Sequence, residues 1–224
     1  MGGTKAATRV WDIPVRLTHW LLVLLLAFSW WSAEEGRLDW HRLSGYALLA
    51  LVVFRLCWGL VGSDTARFGR FLRGPTAIGA YLSKLGSKER EPVVGHNPLG
   101  GWSVLAMLLL LAAQAVLGLF AIDVDGIESG PLAYFVNFDE GRLAAGVHEL
   151  VFNVILALVA LHLIAIAFYA VFKRDNLIGP MITGVKAIEG APSAPRMAPL
   201  WLALLVLAAA VTLVYTVSQG FWAI

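Results

Sequence analysis

Long apolar stretches dominate the chain, and polar residues gather in the segments between them. Five stretches come close to the roughly 20 residues that cross a hydrocarbon core, at about 15–32, 41–61, 102–122, 147–172 and 199–218. They predict five transmembrane helices. Pro14 suits a first helical turn. Trp30, Trp31 and Trp40 cluster at one end of the first helical hairpin, while Trp11, Trp20, Trp58 and Trp102 mark the other, as interfacial aromatic belts do. There is no internal repeat and no low-complexity tract. The only linker-like piece is Gly190-Ala191-Pro192-Ser193-Ala194-Pro195, ahead of the last apolar stretch. The pattern predicts an all-α membrane protein: a domain of four spans over 1–175, a linker over 176–198 and a fifth, appended helix over 199–224.

Composition narrows the class. The 224 residues are 59% hydrophobic and 14% charged, with a mean hydropathy of +0.75. Soluble domains carry about one quarter charged residues, so a soluble globular fold is excluded. The first span lacks a small-residue cleavage site and holds His19 inside its apolar run, so it reads as a span rather than a removable signal peptide. The lone Cys57 excludes an internal disulfide, a CxxC zinc site and a cysteine-held iron–sulfur cluster. Without a CxxCH motif there is no covalent c-type haem.

The distribution of charge says more than the net +2. One set of connections carries Lys5, Arg9, Arg16, Arg67, Arg70, Arg73, Lys84, Lys88, Arg90, Lys173, Arg174, Lys186 and Arg196, whereas the opposite set carries only Arg37 and Arg142. The positive-inside rule then predicts a multi-pass protein of the bacterial inner membrane with a cytoplasmic N-terminus and a periplasmic C-terminus. The opposite connections are acidic, with Glu34, Glu35, Asp39, Asp123, Asp125, Glu128, Asp139 and Glu140. Membrane lipid is an expected partner and nucleic acid is not.

Ionisable groups inside apolar spans are costly and tend to be functional. His148 and His162 lie fourteen residues apart on the fourth span, almost four helical turns or about 21 Å, and so share nearly one stripe. On the predicted topology His41 matches His148 in depth near the periplasmic end. His19 matches His162 more roughly near the cytoplasmic end, and helix tilt can absorb the difference. Neutral imidazoles from facing helices are common axial ligands of non-covalent haem b, and a bundle interior is a usual place for such a site. The sequence therefore points to two b haems, His19 and His162 ligating the iron of one and His41 and His148 that of the other. Two histidines per iron leave no open position, which favours electron transfer over oxygen chemistry. Arg16 and Arg55 are candidates for the propionates of the inner haem, and Arg42 for those of the outer one. Arg16 and Arg42 can also be read as snorkelling to headgroups. The competing readings of the four histidines are helix–helix hydrogen bonding and a non-haem metal transporter, against which stands the lack of an acidic partner inside a span. His96, in GHNPLGG before the third span, is read as either a capped-loop residue or a proton-exchanging group beside a quinone site.

The segments VWDIPVRLTHW around His19, DWHRLSGY around His41 and GHNPLGGW before the third span, with the pair His148 and His162, resemble the prokaryotic cytochrome b561 family over roughly residues 9–175. That family includes the b-type cytochrome subunit of nickel–iron hydrogenases. The resemblance implies a four-helix bundle with two b haems, ligands on the first, second and fourth helices at His19, His41, His148 and His162, and quinone as one electron partner. The implied activity is transfer of electrons across the inner membrane between the quinone pool and a periplasmic partner, either a c-type cytochrome or a hydrogenase-like oxidoreductase. A stand-alone superoxide oxidase that reduces quinone is the alternative, opposed by the acidic outer loops. The fifth span is not required by the four-helix pattern.

Overall fold

The computed structural model describes residues 5–87, 93–189 and 194–220. Lys88 and Arg90 of the basic connections, Gly190–Ser193 of the linker and the last four residues of the chain lie outside the described residues. In chain order the elements are β1 (Lys5–Arg9), α1 (Ile13–Glu34), α2 (Leu38–Val61), α3 (Phe68–Phe71), α4 (Pro75–Ser83), α5 (Pro98–Phe120), α6 (Phe138–Val171), α7 (Ile178–Thr183), β2 (Val185–Glu189) and α8 (Leu200–Ser218). The helices α1, α2, α5, α6 and α8 are each long and apolar enough to cross a membrane. The protein is thus a mostly helical, multi-pass membrane protein, and the described residues hold the five spans its hydropathy predicts.

The two span edges that differ most from the sequence expectation each have a capping reason. Helix α6 starts at Phe138 rather than near 147. Asn137 and Glu140 cap it reciprocally: the Glu140 N–H donates to Asn137 Oδ1 at 2.9 Å, and the Asn137 N–H donates to Glu140 Oε2 at 3.0 Å. This is a capping box, which satisfies orphan donors at a helix start. Its 34 residues rise about 51 Å, well beyond the roughly 30 Å of hydrocarbon. Helix α5 starts at Pro98 rather than near 102, because Asn97 Oδ1 accepts the Gly100 N–H at 2.7 Å and Pro98 occupies the first helical position.

The chain forms two compact units, one of residues 1–17, 57–106 and 159–203, the other of 18–56, 107–158 and 204–224. In the first unit, Asp12 caps α1 by accepting the Val15 N–H at 2.8 Å, and its second oxygen accepts the indole N–H of the fully buried Trp58 at 2.9 Å. The sequence pattern gives no strand, yet β1 and β2 pair antiparallel with Thr8 opposite Lys186. An isolated two-stranded ribbon is marginal in water. This one continues into Gly184, whose carbonyl accepts the N–H of Val10 at 2.9 Å and of Trp11 at 3.2 Å. The approach to α8 is tied to the end of α2. Asp64 and Arg196 exchange backbone contacts at 3.0 Å, through the Asp64 N–H in one direction and Asp64 Oδ2 in the other, while the Ala198 N–H donates to Ser63 Oγ at 2.9 Å.

In the second unit the fifth span is part of the core. Val214 of α8 packs in one buried cluster with Leu49 and Ala50 of α2, Leu119 of α5 and Leu132. The Tyr134 hydroxyl donates to the Gly220 carbonyl at 2.7 Å just past the end of α8.

Gly184 ends α7 in the left-handed region at φ +84°, and a Cβ there would lie 2.8 Å from Arg16 Nη1 and 2.9 Å from the Trp11 carbonyl oxygen. Gly184→Ala is expected to destabilise the protein by about 1–2 kcal/mol from backbone strain alone, read as a lower melting temperature in detergent. The Arg196 backbone N–H first, then the Arg67 guanidinium, hold the Asp64 carboxyl below its ordinary value. Its stabilising contribution is therefore whole above about pH 3.9 and is lost as the pH falls below that. Melting curves from pH 7 to 3 should show an acid-side loss in the parent protein that is smaller in Asp64→Asn.

Candidate functional site

The four histidines singled out by the sequence fall on three spans: His19 on α1, His41 on α2, and His148 and His162 on α6. His41 and His148 come together in the second unit, with ring centroids 6.0 Å apart and ring planes at 77°. Each ring is oriented through Nδ1. His41 Nδ1 lies 2.9 Å from the Ser29 carbonyl oxygen and 3.2 Å from Ser29 Oγ. His148 Nδ1 lies 2.8 Å from the Gln114 carbonyl oxygen. A carbonyl only accepts, so Nδ1 carries the proton in both rings, and each Nε2 presents a lone pair on the ring edge away from that carbonyl. Metal-binding histidines are oriented in this way by a partner on the other ring nitrogen.

Both rings line a cavity of about 230 Å³, somewhat below the roughly 300–1,000 Å³ usual for ligand clefts. Its walls are kept low by small residues. Gly45 lies one helical turn after His41 on the same face, and nothing lies within 4 Å of where its Cβ would be. Gly118 lies against the His148 ring, where a Cβ would come within 3.1 Å of Cε1. Ala115, Ala121 and Ala145 continue the lining.

The cavity can be tested as a haem site from these distances. His41 and His148 would hold haem b through their Nε2 atoms, since each has Nδ1 turned to a main-chain carbonyl and both line the cavity that is open over Gly45. Among the described residues no three His, Cys, Asp or Glu side chains gather as they would for a bare metal ion.

The other candidates take their places as follows. Arg42 lines the cavity, but its guanidinium is engaged by two carboxylates: Asp39, at 2.6 Å, and Glu128. Arg55 is buried on α2, 5% exposed. Arg16 donates to the Ile182 carbonyl near the end of α7 in the first unit. His19, in the second unit, is half-buried with its ring edge-on to Trp20 at 4.9 Å. His162, in the first unit, is half-buried on α6. His96, also in the first unit, is flanked by the rings of Trp11 and Phe71, each at 4.6 Å.

Several residues of the His41–His148 site were not anticipated. The carbonyls of Ser29 and Gln114 could not be, since any residue can supply a carbonyl. Gly45 and Gly118 had a legible signal, a glycine inside an apolar span near a histidine. Glu128 was read only as an acidic loop residue, and it proves to line the cavity.

A family model described as prokaryotic cytochrome b561 matches residues 10–184. The chain is 25% identical to a protein of Rhizobium leguminosarum bv. viciae named probable Ni/Fe-hydrogenase B-type cytochrome subunit, over 84% of this chain and 93% of that one. It is 22% identical to a protein of the same name from Cupriavidus necator, over 84% of this chain and 90% of the relative. No solved structure matches the chain significantly.

Leucine at position 45 would fill the open space one turn from His41. Gly45→Leu is expected to keep the fold and to lower the bound haem b, since an added side chain excludes a ligand from the space it fills, as measured by the pyridine haemochrome assay per mole of protein. Unchanged haem content would separate this cavity from the cofactor.

Proposed function

The chain belongs to the prokaryotic cytochrome b561 family, a family of membrane b-type cytochromes that transfer electrons, and from that premise we propose that it is a dihaem cytochrome carrying electrons across the inner membrane between quinone and a periplasmic redox partner. The observation that carries the reading is the His41–His148 pair, 6.0 Å apart with both Nδ1 protons given to backbone carbonyls. When bound there, haem b supplies a one-electron redox centre. The chain's own residues do the rest. Ser29 and Gln114 fix the ring orientations through their carbonyls, and His41 and His148 would hold the group through their Nε2 atoms. The apolar spans keep water away.

The second haem is proposed from the sequence: His19 and His162 are its axial ligands, with Arg16 and Arg55 as candidates for its propionates. His148 and His162 sit on one continuous helix, fourteen residues or about 21 Å apart along its axis. Arg42 is the candidate for the propionates of the first haem, which would share a guanidinium that Asp39 and Glu128 now hold. Quinone is proposed as the partner at the basic end, with His96 as a group able to exchange the accompanying proton. The basic connections support a cytoplasmic N-terminus. The partner at the acidic end is proposed to be a hydrogenase-like oxidoreductase or a c-type cytochrome. The names of the two relatives support the former, and the charge of the loops suits the basic surface of either.

Ligand pairing tests the reading. His41→Ala and His148→Ala should each remove the same haem, and His19→Ala and His162→Ala the other, as read by haem content and redox titration. A crossed pattern would refute the assignment, and a colourless protein after haem-sufficient expression would refute the function.

A further inference from the structure

The loop between α5 and α6 is a braced hairpin whose tip is apolar. Ile122 bridges to Ser129, and the Asp123 N–H donates to the Glu128 carbonyl at 3.0 Å. Asp123 Oδ1 accepts the Ile127 N–H at 2.9 Å, which closes the turn. Gly126, at φ +70°, reverses the chain above the ring of Phe138. Two arginines hold the base: Arg142 donates to the Ile122 carbonyl at 2.9 Å, and Arg42 pairs with Glu128. From this rigid frame Val124 and Ile127 project, 72% and 80% exposed.

Apolar side chains that stand this far out of a well-bonded loop gain nothing for the fold, since a solvated valine or isoleucine buries no area. Insertion into lipid is opposed by the flanking carboxylates of Asp123, Asp125 and Glu128. An apolar centre with a charged rim is instead the anatomy of a protein interface, and a pre-formed loop binds without the entropy loss of ordering. The loop is also continuous with the haem candidate: Ile122, Asp123, Glu128 and Ser129 line the His41–His148 cavity. A protein seated on the tip would stand beside the wall of that cavity.

We propose that the hairpin Asp123–Glu128 is the docking surface for the periplasmic redox partner, a water-soluble protein with an apolar centre and a basic rim around its own redox group. Val124 and Ile127 anchor it and Asp125 steers it. The inference rests on the electron-transfer function proposed above. One electron passes per encounter: the donor loses it, the acceptor gains it, and no bond forms or breaks.

The test uses the haem-loaded full chain, reduced with dithionite and mixed in stopped flow with a small basic ferric c-type cytochrome. The b haem loses one electron and the probe gains one. The rate is expected to fall with ionic strength, as for steered association. The double variant Val124→Ser/Ile127→Ser should lower it about tenfold at every salt concentration, the loss that truncating two apolar anchors implies. Asp125→Asn should lower the low-salt rate and flatten the salt dependence, with haem content unchanged in both variants. Rates and salt slopes that match the parent in haem-loaded variants would overturn the docking surface while leaving the function standing. A faster reaction with an acidic cytochrome, or none with the basic one, would overturn the stated partner chemistry. Quenching of a fluorophore at position 127 by spin-labelled lipid would assign the tip to the membrane surface instead. Absence of haem from the parent protein would fail the function itself.

Discussion

Inside a lipid-facing bundle an imidazole has no water to bond with, and at His41 and His148 a main-chain carbonyl takes its place. Both carbonyls, of Ser29 and Gln114, already belong to helices, α1 and α5. Each has a second lone pair to offer. The bond decides three things together. It satisfies a polar group that burial would otherwise penalise, it selects the tautomer with a bare Nε2, and it stops the ring from turning about its side-chain bonds. Such preparation of a ligand by its outer partner is general in metal sites. Here it draws on four helical residues, each of which must hold its depth for the other three to work.

That demand is matched by contacts within the second unit that fix helix position. Gly118 lets the backbone of α5 come close to the His148 ring. The fifth span is held just past its end through Tyr134 and Gly220. It adds Val214 to the cluster that packs Leu49 of α2 against Leu119 of α5. Leu49 and Leu119 also line the histidine cavity, so the appended helix backs the wall of the site. A helix serving only as an anchor would have no need of these ties.

The spans and the histidines were legible because both follow from the physics of the bilayer: twenty apolar residues cross it, and a histidine within them needs a reason. The edges were less legible. Asn97-Pro98 reads equally as a turn or as a cap with proline at the first helical position, and the structure makes it the latter. Asn137 and Glu140 have capping-box spacing, but hydropathy places the start of the span further along, where charge ends. The β1–β2 ribbon was hidden because its two strands are 175 residues apart and each is only five residues long. The site was half visible. Histidine identity and depth are sequence properties, whereas the carbonyl partners and the enclosing loop exist only in three dimensions.

Arg42 shows why charge read along the chain can mislead about charge in space. Next to His41, it reads as a cation waiting for a propionate, and the structure surrounds it with Asp39 and Glu128 instead. One of these carboxylates comes from its own helix and one from the loop that closes the cavity. A guanidinium has five donors in a planar fork and can serve more than one anion, so engagement with Glu128 does not exhaust it. What the pairing does settle is the position of the loop. Glu128 is held at the cavity wall by its pairing with Arg42, and the hairpin that carries Val124 and Ile127 is held with it. The arginine beside His41 thus helps to set what the exterior of the molecule presents next to the His41–His148 cavity.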